Sequence, residues 1–170
     1  MRVPRRLTWR DLLRPARVVV CAALAWLLLF QVSVVRGSSM APGISDGDRI
    51  LIEPWSYWVG DVRRGDIVVL QYPLDPTIDY IKRVIGLPGD IVALAGGRVW
   101  VNGDPLPEPY AIADELAWHV ERVESGHCFV LGDNRPRSSD SREFGQVPFD
   151  HLRGRVDLCV WPPTRVGLLQ

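Results

Sequence analysis

Polar and apolar positions divide the chain into two unlike parts. Residues 18–35 read Val-Val-Val-Cys-Ala-Ala-Leu-Ala-Trp-Leu-Leu-Leu-Phe-Gln-Val-Ser-Val-Val, without one charge. From Ile44 onward the apolar residues come in short runs cut off by glycine, proline and aspartate. Short apolar runs bounded by turn formers predict strands. Residues 48–52 follow Gly47 and stop before Pro54. Residues 67–72 follow Gly65-Asp66 and stop at Pro73, which has no N–H for a ladder. Residues 79–87 end at Pro88-Gly89, and 91–94 with 98–101 flank Ala95-Gly96-Gly97 as a hairpin. Residues 118–123, 127–131 and 155–160 complete the set, with Val147-Pro148 reopening the sheet. Residues 55–64, 105–116 and 132–142 read as loops. The expected fold is mostly β: an N-terminal transmembrane helix, then a compact β-sheet or barrel-like domain.

The charge-free run has the length of a membrane span, which takes about 17–25 residues. Gln31 and Ser33 are its weak points. A cleaved leader has a shorter apolar core, about 7–15 residues, ending in a small-x-small site. This run passes into Val34-Val35-Arg36 without one. Arg2, Arg5, Arg6, Arg10, Arg14 and Arg17 precede it against only Asp11, and basic residues collect on the cytoplasmic side. The expected organisation is a cytoplasmic basic flank over 1–17, a single-pass anchor in the plasma membrane over 18–35, and a β-rich domain over 36–170 on the outer face. Trp55, Tyr57 and Trp58 are candidates for lipid contact or for a hydrophobic rim, with ordinary core packing as the alternative.

Composition narrows the function. The 170 residues are 47% apolar and 24% charged with zero formal net charge, which argues against disorder and against nucleic-acid binding. Cys21, Cys128 and Cys159 form no C-x-x-C pair and no cluster with histidine, and the acidic residues show no metal-binding spacing. No metal or organic cofactor is expected. A Cys128–Cys159 bridge stays open.

The candidate chemistry lies in three stretches. Ser39 sits in the turn Gly37-Ser38-Ser39-Met40-Ala41-Pro42, where the apolar run ends. Lys82 is the only lysine of the chain. On a strand it shares a face with Tyr80 and Val84, while Ile81, Arg83 and Ile85 share the other. Both faces are mixed, so period alone leaves its burial open. A desolvated lysine loses affinity for its proton and becomes a competent base for a serine hydroxyl. The plain alternative is a strand-edge lysine that discourages aggregation. Gly132-Asp133-Asn134-Arg135-Pro136-Arg137-Ser138-Ser139-Asp140-Ser141-Arg142 is dense in short polar and charged groups. It reads either as a self-braced loop able to orient a base or as a solvated loop.

In order, Gly37 to Pro42, Arg64-Gly65-Asp66-Ile67-Val68-Val69, Lys82-Arg83-Val84-Ile85-Gly86-Leu87-Pro88-Gly89-Asp90 and Gly132 to Arg142 resemble the boxes of bacterial type I signal peptidases, in the compact single-span form. The resemblance covers residues 18–160. It implies a membrane-bound serine endopeptidase that removes signal peptides from exported preproteins, with small side chains preferred before the cut. Position by position, Ser39 matches the nucleophile, Lys82 the general base, and Ser138 the serine that orients that lysine. Asp140 and Arg142 match a structural ion pair, and Asp133 helps to hold the same loop. Gly37 stands where some members carry an oxyanion-stabilising serine. Backbone N–H groups, with Ser38 as a neighbouring hydroxyl, are then expected on that side. Met40 is expected at the substrate pocket. Gly43-Ile44 departs from the threonine and leucine usual after the proline. Implied partners are signal peptides of preproteins, the lipid bilayer and the nearby secretion translocon, with no nucleic acid. Two alternatives use the same features: a dedicated maturation or conjugation-linked peptidase, and an inactive membrane-anchored peptide-binding domain. A self-cleaving serine–lysine repressor-like protein would need a DNA-binding domain in place of the anchor.

Overall fold

The structure is a computed structural model that describes residues 15, 17–22, 26, 29–115 and 117–169. The basic flank, apart from Pro15 and Arg17, and residues 23–25 and 27–28 of the proposed anchor lie outside the described residues. Residues 17–22 are helical. Among the described residues no helix is long and apolar enough to cross a membrane.

Strands dominate the rest. They are β1 Gln31–Val34, β2 Arg49–Glu53, β3 Ile67–Tyr72, β4 Asp75–Gly86, β5 Ile91–Ala95, β6 Arg98–Val101, β7 Asp104–Pro105, β8 His119–Arg122, β9 His127–Leu131, β10 Val147–Pro148, β11 Leu152–Trp161 and β12 Gly167–Leu168. Two one-turn helices interrupt them, α1 Ser56–Val59 and α2 Ser141–Phe144. The larger sheet runs β1-β2-β11-β3-β4-β9-β10, with β12 on β11, and the smaller runs β7-β6-β5-β8. β1 and β10 stand at the two ends of the larger sheet.

Three apolar clusters fill the interior. One joins Val35, Met40 and Ile44 to β2, β3 and β11. A second lies between the two sheets around Val92, Val99, Phe129 and Leu131. The third holds Val68, Leu70, Val84, Val130 and Val147. Gly86 ends β4 at the passage to the smaller sheet, where a Cβ would stand 2.6 Å from Val92 and 2.8 Å from Val123.

Four expectations are corrected. The end of the apolar run is strand, not membrane helix: Gln31–Val34 pair with Ile52–Arg49 of β2. Gln31 and Ser33 alternate there with Val32 and Val34, the period of a strand. β4 starts at Asp75 rather than 79, because the chain turns back at once after Tyr72, which pairs with Asp75. Residues 56–59 make a helical turn in what reads as loop, and β12 follows the strand expected to be last. Cys128 and Cys159 are buried free thiols on β9 and β11, which are not neighbours in the sheet.

Of the three aromatics expected near lipid, only Trp58 is broadly exposed, at 83%. Tyr57 packs on the third cluster and donates to Asp66 Oδ2 at 3.2 Å. Trp55 meets Phe30 edge to face at 6.3 Å.

Candidate active site

The Ser39 turn is fixed at both ends by backbone hydrogen bonds. Val35 N–H donates to Asp48 O at 2.8 Å and Gly47 N–H to Val35 O at 2.9 Å. Gly37 has φ +96°, a left-handed conformation that costs glycine little, and its N–H donates to Asp46 Oδ1 at 2.7 Å. Met40 plugs the turn into the core: it is 1% exposed and packs in the first cluster. It is not among the residues that line the cavity beside Ser39.

Lys82 lies in the middle of β4, opposite Val68 of β3, and is 3% exposed. Its Nζ stands 2.9 Å from Ser39 Oγ and 3.1 Å from Ile81 O, with the Tyr80 ring centroid at 5.0 Å. Burial pulls its pKa down to about 8; Asp140, Asp133 and Glu143 oppose that shift, and Arg142 adds to it. At that value a useful fraction is neutral near physiological pH. The hydrogen bond can then run from the serine O–H to the amine.

The polar loop is mostly buried, not solvated. Asn134 N–H donates to Ser39 O at 2.9 Å, and its Nδ2 to Ser38 O at 3.1 Å. Arg142 Nε donates to Asp140 Oδ1 at 2.8 Å, and Asp140 Oδ2 accepts Gly132 N–H at 3.0 Å. The expected Asp140–Arg142 pair is therefore present under the loop. Asp133 is held by a residue the sequence did not single out. Arg83 donates to both its oxygens, Nε at 2.9 Å and Nη2 at 2.8 Å, with both side chains buried. Lys82 and Arg83 thus face opposite sides of β4, one toward Ser39 and one toward the loop that carries Asn134.

Ser138 is buried beside the pair, but its Oγ has no hydrogen-bond partner, where a bond to Lys82 was expected. Gly132 explains the crowding. A Cβ there would fall 2.6 Å from Ser39 O and against Ser138 Oγ. Gly37, Ser38, Ser39 and Lys82 line one cavity of about 340 Å³, walled by Ser33–Val35 on one side and Asp79–Ile81 on the other. None of His119, His127 and His151 lines it. No group of side chains able to hold a metal occurs among the described residues.

Asn134, Arg83 and Arg165 are the contributors that sequence reasoning missed. Arg165 Nε donates to Asp48 Oδ2 at 3.0 Å and its Nη2 to Gly43 O at 2.9 Å, bracing the turn that follows Ser39. Arg83 carried one signal: a second cation beside Lys82, on the opposite strand face, needs its own buried anion.

The chain is similar to several known proteins. A crystal structure of a signal peptidase I from Enterococcus faecalis V583 shares 30% identity, covering 57% of this chain and 97% of its own, at a TM-score of 0.48. Signal peptidase I of Leptolyngbya laminosa is 40% identical over 144 residues, 79% of this chain and 70% of its own. Signal peptidase I of Bacillus caldolyticus is 39% identical over 164 residues, 87% of this chain and 89% of its own. The family described as signal peptidase, peptidase S26, matches residues 9–161. By that match and those identities, the chain belongs to the signal peptidase family, peptidase S26, and is a serine peptidase.

Proposed function

We propose that the protein removes signal peptides from exported preproteins by a Ser39/Lys82 dyad. The observation that carries the reading is the contact between a buried, down-shifted lysine amine and the serine hydroxyl at 2.9 Å. Ser39 Oγ attacks the carbonyl carbon before the scissile bond while Lys82 Nζ takes its proton. The oxyanion is met by backbone N–H groups of the Ser39 turn, where Gly37 offers no side-chain donor. Lys82 returns the proton to the departing amine as the C–N bond breaks, leaving an acyl-enzyme. Water, deprotonated by the same amine, then releases the signal peptide and regenerates Ser39.

The substrate enters extended along a sheet edge. β1 ends the larger sheet, and Asp75 and Asp79–Lys82 of β4 pair with β3 but lie outside the β9 register. Both free edges border the cavity, so a strand added there has main-chain partners beside Ser39.

The N-terminal run supplies the membrane anchor in this reading, with the arginine flank inside and the β domain at the outer face near the translocon.

Cleavage of a preprotein at an Ala-x-Ala site by the full chain in detergent tests the reading. Ser39→Ala and Lys82→Ala are expected to abolish cleavage while the far-ultraviolet spectrum and melting temperature stay in the range of the parent. Normal cleavage by either variant would overturn the dyad.

A further inference from the structure

Residues 106–117 lie between β7 and β8 of the smaller sheet and look like plain linker in the sequence. In the structure the segment is laid against both arms of the site. The Tyr110 ring stacks on Arg83, with the guanidinium carbon 3.9 Å from its centroid. Tyr110 O–H donates to Glu108 Oε1 at 3.1 Å, and the same carboxylate oxygen accepts Arg135 Nη2 at 2.6 Å. Glu108 and Arg135 side chains are 9% and 4% exposed. The backbones join as well: Ile112 N–H donates to Asp133 O at 2.8 Å, and Arg135 N–H to Ile112 O at 3.1 Å.

Each contact leads to one partner of the dyad. Arg83 follows Lys82 on β4. Asp133, held by Arg83, precedes Asn134, whose two donors hold the carbonyls of Ser38 and Ser39. Arg135 Nε donates to Gly132 O at 2.9 Å, steadying the glycine on which the Ser39 carbonyl rests. Asp133, Arg83, Glu108 and Arg135 thus alternate in charge across a poorly hydrated region, where a missing member leaves its neighbour unpaired at high cost. Tyr110 fills the gap between Arg83 and Glu108, stacking on the first and donating to the second. Burial and the Glu108 carboxylate push its phenol pKa up, so it stays a donor.

We propose that residues 108–112 are a strap that sets the Ser39–Lys82 separation, with Tyr110 and Glu108 as positioning residues that touch neither substrate nor reacting atoms. The proposal rests on the dyad reading above. The strap clamps β4 to the loop over 132–135, and its loss lets the two arms part and water reach the amine. Hydration of Lys82 restores its affinity for a proton. The charged groups that face Lys82, namely Asp133, Asp140, Arg142 and Glu143, all remain in the variants below.

Steady-state cleavage of a signal-peptide substrate by the full chain in detergent, across pH 6 to 10, tests this. Tyr110→Leu is expected to lower kcat by about 10-fold or more with KM within about twofold, as displacement of reacting groups does. It should also move the acidic limb of kcat/KM to higher pH. Tyr110→Phe keeps the stack on Arg83 and should recover most of kcat and the parent's limb. Glu108→Gln keeps the shape but not the charge that anchors Arg135, and should shift the limb in the same direction as Tyr110→Leu. It carries the test if Tyr110→Leu does not fold. A purely structural segment would lower the melting temperature yet leave kcat and the pH limb of the folded protein unchanged, and that result overturns the strap. Lys82→Ala separates the two claims: inactivity there with parent-like Tyr110→Leu and Glu108→Gln refutes the strap alone, while activity there refutes the dyad.

Discussion

At the scale of single residues, Lys82 is held against its own preference for water. Burial draws its pKa from 10.5 to about 8, a change worth roughly 3 kcal/mol between the two protonation states. Its sign follows from proton counting. Between about pH 8 and 10.5 the unfolded chain carries a proton here that the folded chain lacks, so stability rises with pH across that window. Below it both states are protonated and the whole penalty is present. Lys82→Met, inactive by the dyad reading, is therefore expected to be more stable than the parent at pH 7, by up to roughly 3 kcal/mol. The gap should close as pH approaches 10.5. Urea unfolding of both proteins at pH 7 and pH 10 measures it. A variant less stable at pH 7, or a gap that ignores pH, contradicts the assignment of Lys82 as a desolvated amine. In the parent, the same titration predicts that kcat/KM climbs with pH up to about 8 as the amine loses its proton.

At the scale of elements, the strands and turns with both boundaries marked were the legible ones. Residues 67–72 and 127–131 coincide with β3 and β9 because their apolar runs are buried and flanked by glycine, proline or polar turns. The first half of β4 was not legible, since Pro76 and Thr77 lie where β4 has one free edge and need no second partner there. The 132–142 loop was legible as a cluster but not as buried structure. Its ions are neutralised by residues far along the chain, as Asp133 is by Arg83, and no local pattern encodes such a pairing. The 3-10 turn Pro163–Arg165 was invisible for the same reason, although its Arg165 holds Asp48, Pro42 and Gly43. Arg165→Ala should cost about 2 kcal/mol, the range of hydrogen bonds to charged groups, and lower kcat with it. Arg165→Lys should recover only part, because one ammonium lacks the planar fork that serves a carboxylate and two carbonyls together. Chemical denaturation ranks the three proteins, and full recovery by lysine would reduce the brace to simple charge.

At the scale of the whole molecule, the site lies where the end of the apolar run joins the larger sheet. β1 is both the last stretch before the Ser39 turn and the edge of the sheet beside the cavity. Ser33, Val34 and Val35 wall that cavity, and Val35 is a core residue at 6% exposure. The boundary drawn at residue 36 from hydropathy therefore cuts through the folded domain. Two truncations separate the roles of anchor and strand. A chain that begins at residue 29 keeps β1 and its pairing with β2, and should fold and cleave a soluble signal-peptide substrate. Its loss should show only against preproteins in membranes, where local concentration at the bilayer no longer helps it. A chain that begins at residue 36 loses Val35 from the core and the β1 wall of the cavity. Removal of a buried valine and an edge strand is expected to cost at least about 2 kcal/mol, and peptide cleavage should fall by about 100-fold as the substrate loses one of its two strand partners. Melting temperature and peptide turnover of the two proteins decide it. Equal turnover on the soluble peptide would mean that β1 takes no part in substrate binding.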